Sequence, residues 1–185
     1  MELSDLIENC KKNDEKSYEI LYKKYYRVLY GIAQRYSRTT FEAEDILQEA
    51  FIKIFKNISS FSMQGSFEGW IKRIVQNTAI NHYKSNLKYN LNSDITEGEY
   101  DLNDGSFDSL FNTLETKEII TLLNEMPEGY RMIINLYCID GCSHKEIAEI
   151  LTISVGTSKS QLFKAKGYLK KTIESQLKIT VDERQ

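Results

Sequence analysis

The stretch CSHKEIAEIL at residues 142–151 is followed, after the three residues TIS, by VGTSKSQLFKAK at residues 155–166. Ser143 and Glu146 have the spacing of a capping box, so a helix is predicted to begin at His144. Three intervening residues suit two helices packed at a steep angle, and the last of the three is a serine, a good N-cap for the second helix. The two stretches together predict a helix-turn-helix.

The second helix of this motif is predicted to have two chemically different sides. Residues at steps of three and four should face inward: Val155, Ser158, Leu162, Ala165 and Leu169. Other positions should face outward: Thr157, Lys159, Ser160, Gln161, Phe163, Lys164 and Lys166. Residues 155–171 contain five lysines and no carboxylate, so the helix can approach phosphates while its N-terminal end meets base edges in a major groove. This pattern favours DNA binding over a merely solvated basic surface.

The charge of the chain is divided unevenly. The 185 residues carry a formal charge of −3, but residues 89–116 hold seven acids and no Lys or Arg, so removing those seven charges leaves +4 for the remainder. The acidic segment lacks periodicity and is rich in Asn, Asp, Ser and Gly, which predicts a flexible linker. We therefore expect two small domains, about 1–88 and 113–178, with a linker at 89–112 and a tail at 179–185.

The composition also bears on location and metal binding. No apolar run is long enough to span a membrane, which predicts a soluble, cytoplasmic protein without membrane insertion. The three cysteines form no paired framework, which fits a reducing compartment: Cys10, Cys138 and Cys142. Cys138, Cys142 and His144 lack a fourth metal ligand, and Gly141 more simply ends a helix, so we predict neither a metal nor another cofactor.

The N-terminal domain is predicted to be helical, which makes the whole chain all-α. Apolar and aromatic residues recur at helical spacing in residues 17–36 and again in residues 41–58. The second of these helices should bury one face: Ile46, Leu47, Ala50, Phe51, Ile54, Phe55 and Ile58. Its opposite face is polar apart from one isoleucine: Asp45, Gln48, Glu49, Ile52, Lys53 and Lys56.

A polar loop, SSFSMQGS at residues 59–66, precedes a third predicted helix at residues 67–84. One side of this helix is apolar: Ile71, Ile74, Val75 and Thr78. The other side combines an aromatic ring, amides and cations: Trp70, Arg73, Asn77, Asn81 and Lys84. Such a face can stack on unpaired bases, bond their edges and neutralise phosphates, although Trp70 could equally belong to the core.

Both blocks, in this order, resemble bacterial RNA polymerase sigma factors of the small extracytoplasmic-function group, over nearly the whole chain. EDILQEAF at residues 44–51 resembles the polymerase-docking segment of that family. Residues 61–77, with SFEGWIKRIVQN at their centre, resemble its strand-opening and minus-ten region. LNEMPEGYR at residues 123–131 resembles the entry to its minus-thirty-five domain, which the helix-turn-helix completes. The middle domain of housekeeping sigma factors has no counterpart.

The resemblance implies a factor that directs promoter recognition, strand opening and transcription initiation. Its partners would be core RNA polymerase, through the largest-subunit clamp and the flap, promoter DNA, and an anti-sigma factor. The implied docking residues are Asp45, Gln48, Glu49 and Ile52. The implied minus-ten residues are Phe61, Ser62, Met63, Gln64, Gly65, Ser66, Trp70, Arg73 and Asn77, with loop residues 62–66 taking a flipped base into a pocket. The implied minus-thirty-five residues are Ser154, Thr157, Lys159, Ser160, Gln161, Phe163 and Lys164.

Some positions depart from the family pattern, and other functions remain open. Ser158 stands where relatives often have an apolar residue, and Gln161 and Lys164 stand where many have arginine, which puts bidentate guanine contacts in doubt. The acidic linker can be a nucleic-acid mimic or a plain tether. A DNA-acting enzyme would need a catalytic cluster, which the sequence does not offer, so no enzyme is predicted. A self-sufficient helix-turn-helix regulator, or an interaction protein that keeps the fold, would act without directing polymerase.

Overall fold

The computed structural model describes residues 2–89 and 114–182, except the side chains of residues 87–89, 116 and 176–182. The chain divides into two compact units, Met1–Leu91 and Asn92–Gln185. Helices make up all the regular structure of the described residues, which confirms the all-α prediction. Within the same residues, no helix is both long and apolar enough to cross a membrane. The predicted linker and its two possible roles fall almost wholly outside the described residues.

The first unit contains four helices and a short turn: α1 Leu3–Lys11, α2 Glu15–Tyr36, α3 Thr40–Asn57, a 3₁₀ turn Ile58–Ser60 and α4 Phe67–Tyr89. Side-chain caps begin two of them. The Asp14 carboxylate accepts a bond from the backbone N–H of Ser17 at 2.9 Å, and the Thr39 hydroxyl accepts one from Glu42 at 3.1 Å. The predicted helices are confirmed with ends shifted by a few residues, and α1 was not predicted.

The core of the first unit lies where α2, α3 and α4 meet, with α1 packed against α2. Every residue of the predicted apolar face of α3 is buried except Phe55, which is half-buried. Aromatic rings join α2 to α3, since the ring centroids of Tyr18 and Phe55 lie 4.6 Å apart and those of Tyr22 and Phe51 lie 4.5 Å apart. Three large apolar residues of α2 remain exposed: Ile20, Tyr22 and Val28.

Residues 114–182 of the second unit form α5 Thr116–Glu125, α6 Glu128–Ile134, a π turn Asn135–Ile139, α7 His144–Leu151 and α8 Val155–Asp182. A capping box starts α5, because the Glu115 side chain accepts from the backbone of Glu118 and the Glu118 carboxylate accepts from the Glu115 N–H at 2.7 Å. One of the seven acids of the acidic segment therefore has a structural role. Gly141 adopts φ 73° directly after the π turn, and the helix ends there as predicted.

Helix α8 differs from the predicted two-sided pattern at two positions. Val155 was expected to face inward but is 42% exposed. It is the first residue of α8, and the spacing of apolar residues does not show whether another helix covers that end. Lys166 was expected to face outward but is only 7% exposed. Helix α8 packs against α5, α6 and α7, so its buried surface is wider than one helical stripe. A lysine can bury its aliphatic stem in such a surface.

Candidate nucleic-acid and polymerase-docking surfaces

The outer face of α3 collects the four predicted docking residues. Asp45, Gln48 and Glu49 are exposed, and Ile52 is 53% exposed. Lys53 braces this face on the neighbouring helix: its Nζ lies 2.7 Å from Glu49 Oε1 and donates to Thr78 Oγ1 of α4 at 3.3 Å. The structure thus brings these residues together as a polar surface with an apolar residue, Ile52, at one end, on a helix that packs against α4.

An aromatic cluster lies beneath the loop that joins α3 to α4. The ring centroid of Phe61 lies 5.2 Å from that of Phe67 and 5.4 Å from that of Trp70, and the Phe67 and Trp70 centroids are 5.6 Å apart. Tyr25 of α2 adds a fourth ring, 5.9 Å from Phe67. Trp70 is half-buried, so it supports the loop and still offers part of its ring to solvent.

Phe61 was predicted among the residues that contact DNA, and its side chain is only 7% exposed, because its ring packs into this aromatic cluster. The residue supports the loop from below and also lines the cavity beside it, so its contact with DNA stays a prediction. The other predicted loop residues are all exposed: Ser62, Met63, Gln64, Gly65 and Ser66.

The loop has an unusual backbone conformation at two of its residues. Met63 adopts φ 59° and Gly65 adopts φ 94°, in the left-handed region. Ser66 then caps α4, since its hydroxyl accepts a bond from the backbone N–H of Gly69 at 3.1 Å. The two left-handed residues and the cap fix the path of the loop over the aromatic cluster.

A cavity of about 320 Å³ lies between α1, the loop and the start of α4. The residues that line it include Ile7 of α1, Tyr25 of α2, Phe61, Met63, Ser66 and Glu68. Burial raises the pKa of Tyr25, and the nearby Glu68 carboxylate raises it further, so this phenol stays protonated and can donate a hydrogen bond. A pocket with aromatic walls and a few polar groups is suited to a planar ring. The contribution of α1 was not predicted.

The outer side of α4 carries the other predicted minus-ten residues. Arg73 and Asn77 are exposed, one helical turn apart, and Asn81 continues the row. Further along, His82 Nδ1 lies 3.3 Å from Glu42 Oε1 and so ties α4 to the start of α3. The exposed amides and the cation therefore lie on a helix that is fixed to its neighbour.

Replacement of Gly65 tests whether the left-handed loop conformation matters. A Cβ at this position would meet no atom within 4 Å, so Gly65→Ala is expected to lose about 1–2 kcal/mol of stability through backbone strain alone. Gly31→Ala, in the middle of α2 and equally free of neighbours, should instead gain about 1 kcal/mol. Urea unfolding followed by tryptophan fluorescence measures both. If Gly65→Ala and Gly31→Ala changed the free energy of unfolding in the same direction, the loop would not hold Gly65 in this conformation.

The helix-turn-helix is confirmed in detail. The Ser143 hydroxyl accepts a bond from the Glu146 N–H at 3.3 Å, and the Glu146 carboxylate accepts one from the Ser143 N–H at 2.8 Å. The turn itself contains Thr152 at φ 59°, a left-handed residue that was not predicted. Ser154 then caps α8, since its hydroxyl accepts from the Thr157 N–H at 2.9 Å. Both helices begin at the predicted residues.

A buried contact joins the two helices of this motif. His144 Nδ1 and Ser158 Oγ lie 3.0 Å apart, within hydrogen-bonding distance, and Ser158 is fully buried. The His144 ring also stacks on Tyr137 of the π turn, with centroids 4.7 Å apart. Ser158, a polar residue on the predicted inward face of α8, thus has a hydrogen-bonding partner. Sequence reasoning missed the pair because its members are fourteen residues apart.

The charge state of His144 should influence the stability of the second unit. Burial lowers the pKa of this imidazole, and the nearby Lys159 lowers it further. The unfolded chain therefore binds this proton more readily than the folded chain does. The contribution of neutral His144 to the free energy of unfolding is complete above the ordinary pKa of about 6.5 and is lost as the pH falls below it. We expect the thermal midpoint to drop more between pH 7.5 and pH 5.5 for the native chain than for His144→Gln. Equal drops would contradict this.

The outer side of α8 presents the predicted minus-thirty-five residues. Thr157, Lys159, Ser160 and Phe163 are exposed, while Gln161 and Lys164 are partly exposed. Ser154 is exposed too, but its hydroxyl already contacts the Thr157 hydroxyl at 2.9 Å. The Ser160 hydroxyl donates to the Thr157 carbonyl at 3.1 Å. The lysines, Gln161 and the phenyl ring are therefore the groups most available for new contacts.

Comparisons with known proteins were made for the whole chain. Residues 21–88 match the Sigma-70 region 2 family, and residues 116–169 match the family Sigma-70, region 4. The chain is 31% identical over 170 residues to the ECF RNA polymerase sigma-E factor of Escherichia coli, covering 87% of this chain and 88% of that protein. It is 28% identical over 184 residues to the RNA polymerase sigma-H factor of Pseudomonas aeruginosa, covering 94% of each.

Among solved structures, the chain is similar in fold to the sigma factor RpoE of Bartonella quintana, crystallised with the anti-sigma factor NepR. The sequence identity is 21%, the TM-score is 0.50, and the match covers 86% of this chain and 98% of that one.

Proposed function

The chain belongs to the extracytoplasmic-function (ECF) sigma factors of RNA polymerase, and we propose that its two units divide promoter recognition between them. It binds core RNA polymerase and directs promoter recognition, strand opening and transcription initiation. The observation that carries this function is the presence in one chain of both sigma-70 regions, at residues 21–88 and 116–169. We assign residues 1–88 to docking and the minus-ten element, and residues 113–178 to the minus-thirty-five element.

The outer face of α3 is the proposed docking site for the clamp of the largest polymerase subunit. An exposed isoleucine next to two carboxylates and an amide gives this face both apolar and polar groups for an interface. The Lys53 contacts with Glu49 and Thr78 support this role, because they hold the face in one conformation before the partner arrives. The flap would contact the second unit.

The loop at residues 62–66 and the cavity beneath it form the proposed minus-ten site. A base that leaves the duplex loses stacking worth a few kcal/mol, and an aromatic contact in a pocket returns about 1–3 kcal/mol. The cavity supplies aromatic walls, while Arg73 and Asn77 on α4 supply a cation for phosphate and an amide for a base edge. Strand opening then becomes selective for the base that fits.

The outer side of α8 is the proposed minus-thirty-five site. Residues 155–171 of this helix expose Lys159 and contain no carboxylate, so this part of α8 can lie in a major groove between two phosphate backbones. Gln161 and Phe163 can reach base edges, the amide for hydrogen bonds and the ring for apolar contact with a thymine methyl. Specificity here would rest on these two residues and on local DNA shape.

Two further properties follow from this role. The Bartonella quintana structure contains an anti-sigma factor, and an anti-sigma factor is the partner we propose for this chain as well. It would cover the docking and DNA-binding surfaces and keep the protein away from polymerase. The protein would act in the cytoplasm, where polymerase and promoters are, and would catalyse no reaction itself, because polymerase carries out the chemistry.

Transcription in vitro from a promoter library tests the proposed function. Purified core polymerase with this protein should yield defined start sites that share two spaced sequence elements, and core polymerase without it should not. Start sites that do not depend on the protein would contradict the proposal. Footprinting without polymerase distinguishes the alternative, because a self-sufficient regulator would protect duplex DNA alone, whereas a two-domain sigma factor should bind poorly by itself.

A further inference from the structure

Phe41 is far more exposed than any other apolar side chain among the described residues. It lies in the first turn of α3, and 73% of its surface is open to solvent. Ile52, at the opposite end of the docking face, is 53% exposed. Single exposed apolar residues are common, so the exposure of Phe41 acquires meaning only from its position relative to that face.

Phe41 lies on the same stripe of α3 as three proposed docking residues. Positions 41, 45, 48 and 52 are separated by steps of four, three and four, so they line one side of the helix. Asp45 and Gln48 are exposed between the two apolar ends. At 1.5 Å per residue the stripe is about 16 Å long, which adds a full turn to the docking face defined by Asp45, Gln48 and Ile52.

The spacing of this stripe suits a helical partner. Positions 41 and 48 are seven residues apart, as are positions 45 and 52, and this is the repeat by which two helices pack along each other at a shallow angle. A phenylalanine and an isoleucine at the ends provide apolar anchors, and the exposed carboxylate of Asp45 between them favours a partner that carries a cation there. The stripe therefore fits a cationic helix about three turns long.

We propose that Phe41 is an additional docking residue, which inserts its ring between side chains of the helical element of the polymerase clamp that binds the outer face of α3. This inference rests on the proposed docking role of that face. It gives the chain an aromatic anchor at one end of an interface whose other end is Ile52. Interface energy is concentrated in a few such anchors, among which large side chains at well-packed positions predominate.

Binding of the full-length chain to core polymerase, measured by competition with a fluorescent sigma factor, tests the proposal. Phe41→Ser is expected to weaken binding about 30-fold, as loss of a hot-spot residue does. Phe41→Leu should recover most of the affinity. Val28→Ser, at a 46% exposed apolar position on α2, is the matched control and should bind as the native chain does. Unchanged thermal midpoints would show that all variants are folded.

Ile52→Ser separates this inference from the proposed docking site. Weakened binding by both Ile52→Ser and Phe41→Ser would support the proposal. Weakened binding by Ile52→Ser alone would overturn the role of Phe41 and leave the docking site intact, while no effect from either would overturn the docking site itself. A photoreactive phenylalanine analogue in place of Phe41 provides a second readout: cross-linking to the largest subunit is expected, and cross-linking only to promoter DNA would refute the proposal.

Discussion

Asp45→Lys is expected to weaken binding of the full-length chain to core polymerase by about 30-fold or more, because removing one partner of a desolvated charge pair costs about 2–5 kcal/mol. Asp45 is exposed on the outer face of α3, next to Gln48 and Ile52 on the same stripe. A lysine there would also place a cation opposite the partner's own cations. Competition binding with purified core polymerase measures the effect.

Glu44→Lys is the matched control for this charge reversal. Glu44 is also exposed and also lies near the N-terminus of α3, so both variants lose a similar favourable interaction with the helix dipole, about 0.3–1 kcal/mol. Glu44 points about 100° away around the helix, toward Tyr22, whose pKa is raised first by burial and then by Tyr26 and the Glu44 carboxylate. We expect Glu44→Lys to bind within about threefold of the native chain. Equal losses from both reversals would point to net charge and not to a specific docking contact.

The elements of the fold could be predicted from the sequence wherever local signals agreed. Ser143, Glu146 and Gly141 mark helix ends by chemistry that acts within four residues, and the structure places the ends where they predict. The buried face of α3 follows from apolar spacing, because a helix packed on one side must bury one stripe. Helix α1 has similar spacing at Leu6, Ile7 and Cys10, all buried, but a helix of nine residues is too short for its apolar periodicity to predict it.

The errors occurred where a residue's surroundings come from distant parts of the chain. Lys166 is buried because α8 meets three other helices. The bond between His144 and Ser158 likewise requires the finished turn between α7 and α8. Local periodicity contains none of this information, since it records only which residues share a face.

The candidate sites follow the same division. Exposure of the α3 face and of the outer side of α8 follows from spacing and charge, so most of those residues could be predicted. The cavity under residues 62–66 could not, because its walls combine α1, α2, the loop and α4. The sequence therefore predicts surfaces that one helix presents, and the structure is needed for a pocket that several elements build.

Phe67→Ala is expected to destabilise the first unit by about 3–5 kcal/mol, as removal of a buried aromatic ring does. Phe67 is almost fully buried and contacts Tyr25, Phe61 and Trp70, so its loss removes the centre of the cluster under the loop. Trp70 is the single tryptophan of the chain, so tryptophan fluorescence reports on this unit alone during urea unfolding. Since a domain has only about 5–15 kcal/mol of stability, the urea midpoint of the first unit should fall strongly. Strand opening should fail because the loop loses its support.

Phe163→Ala removes an exposed aromatic ring from the second unit, so it should leave stability nearly unchanged and weaken promoter binding. Its ring is about half exposed on the outer side of α8, so the change in stability should stay within about 0.5 kcal/mol. Polymerase carrying this variant should nevertheless lose affinity for promoters that need the minus-thirty-five element, which filter binding of duplex promoter DNA measures. A large drop in the thermal midpoint of Phe163→Ala, followed by circular dichroism because the second unit contains no tryptophan, would contradict the exposed position of that ring. No fluorescence shift for Phe67→Ala would contradict the packing of the first unit. Phe67→Leu, which keeps most of the buried volume, should restore both stability and strand opening, because the loop needs a filled cluster beneath it more than it needs the ring itself.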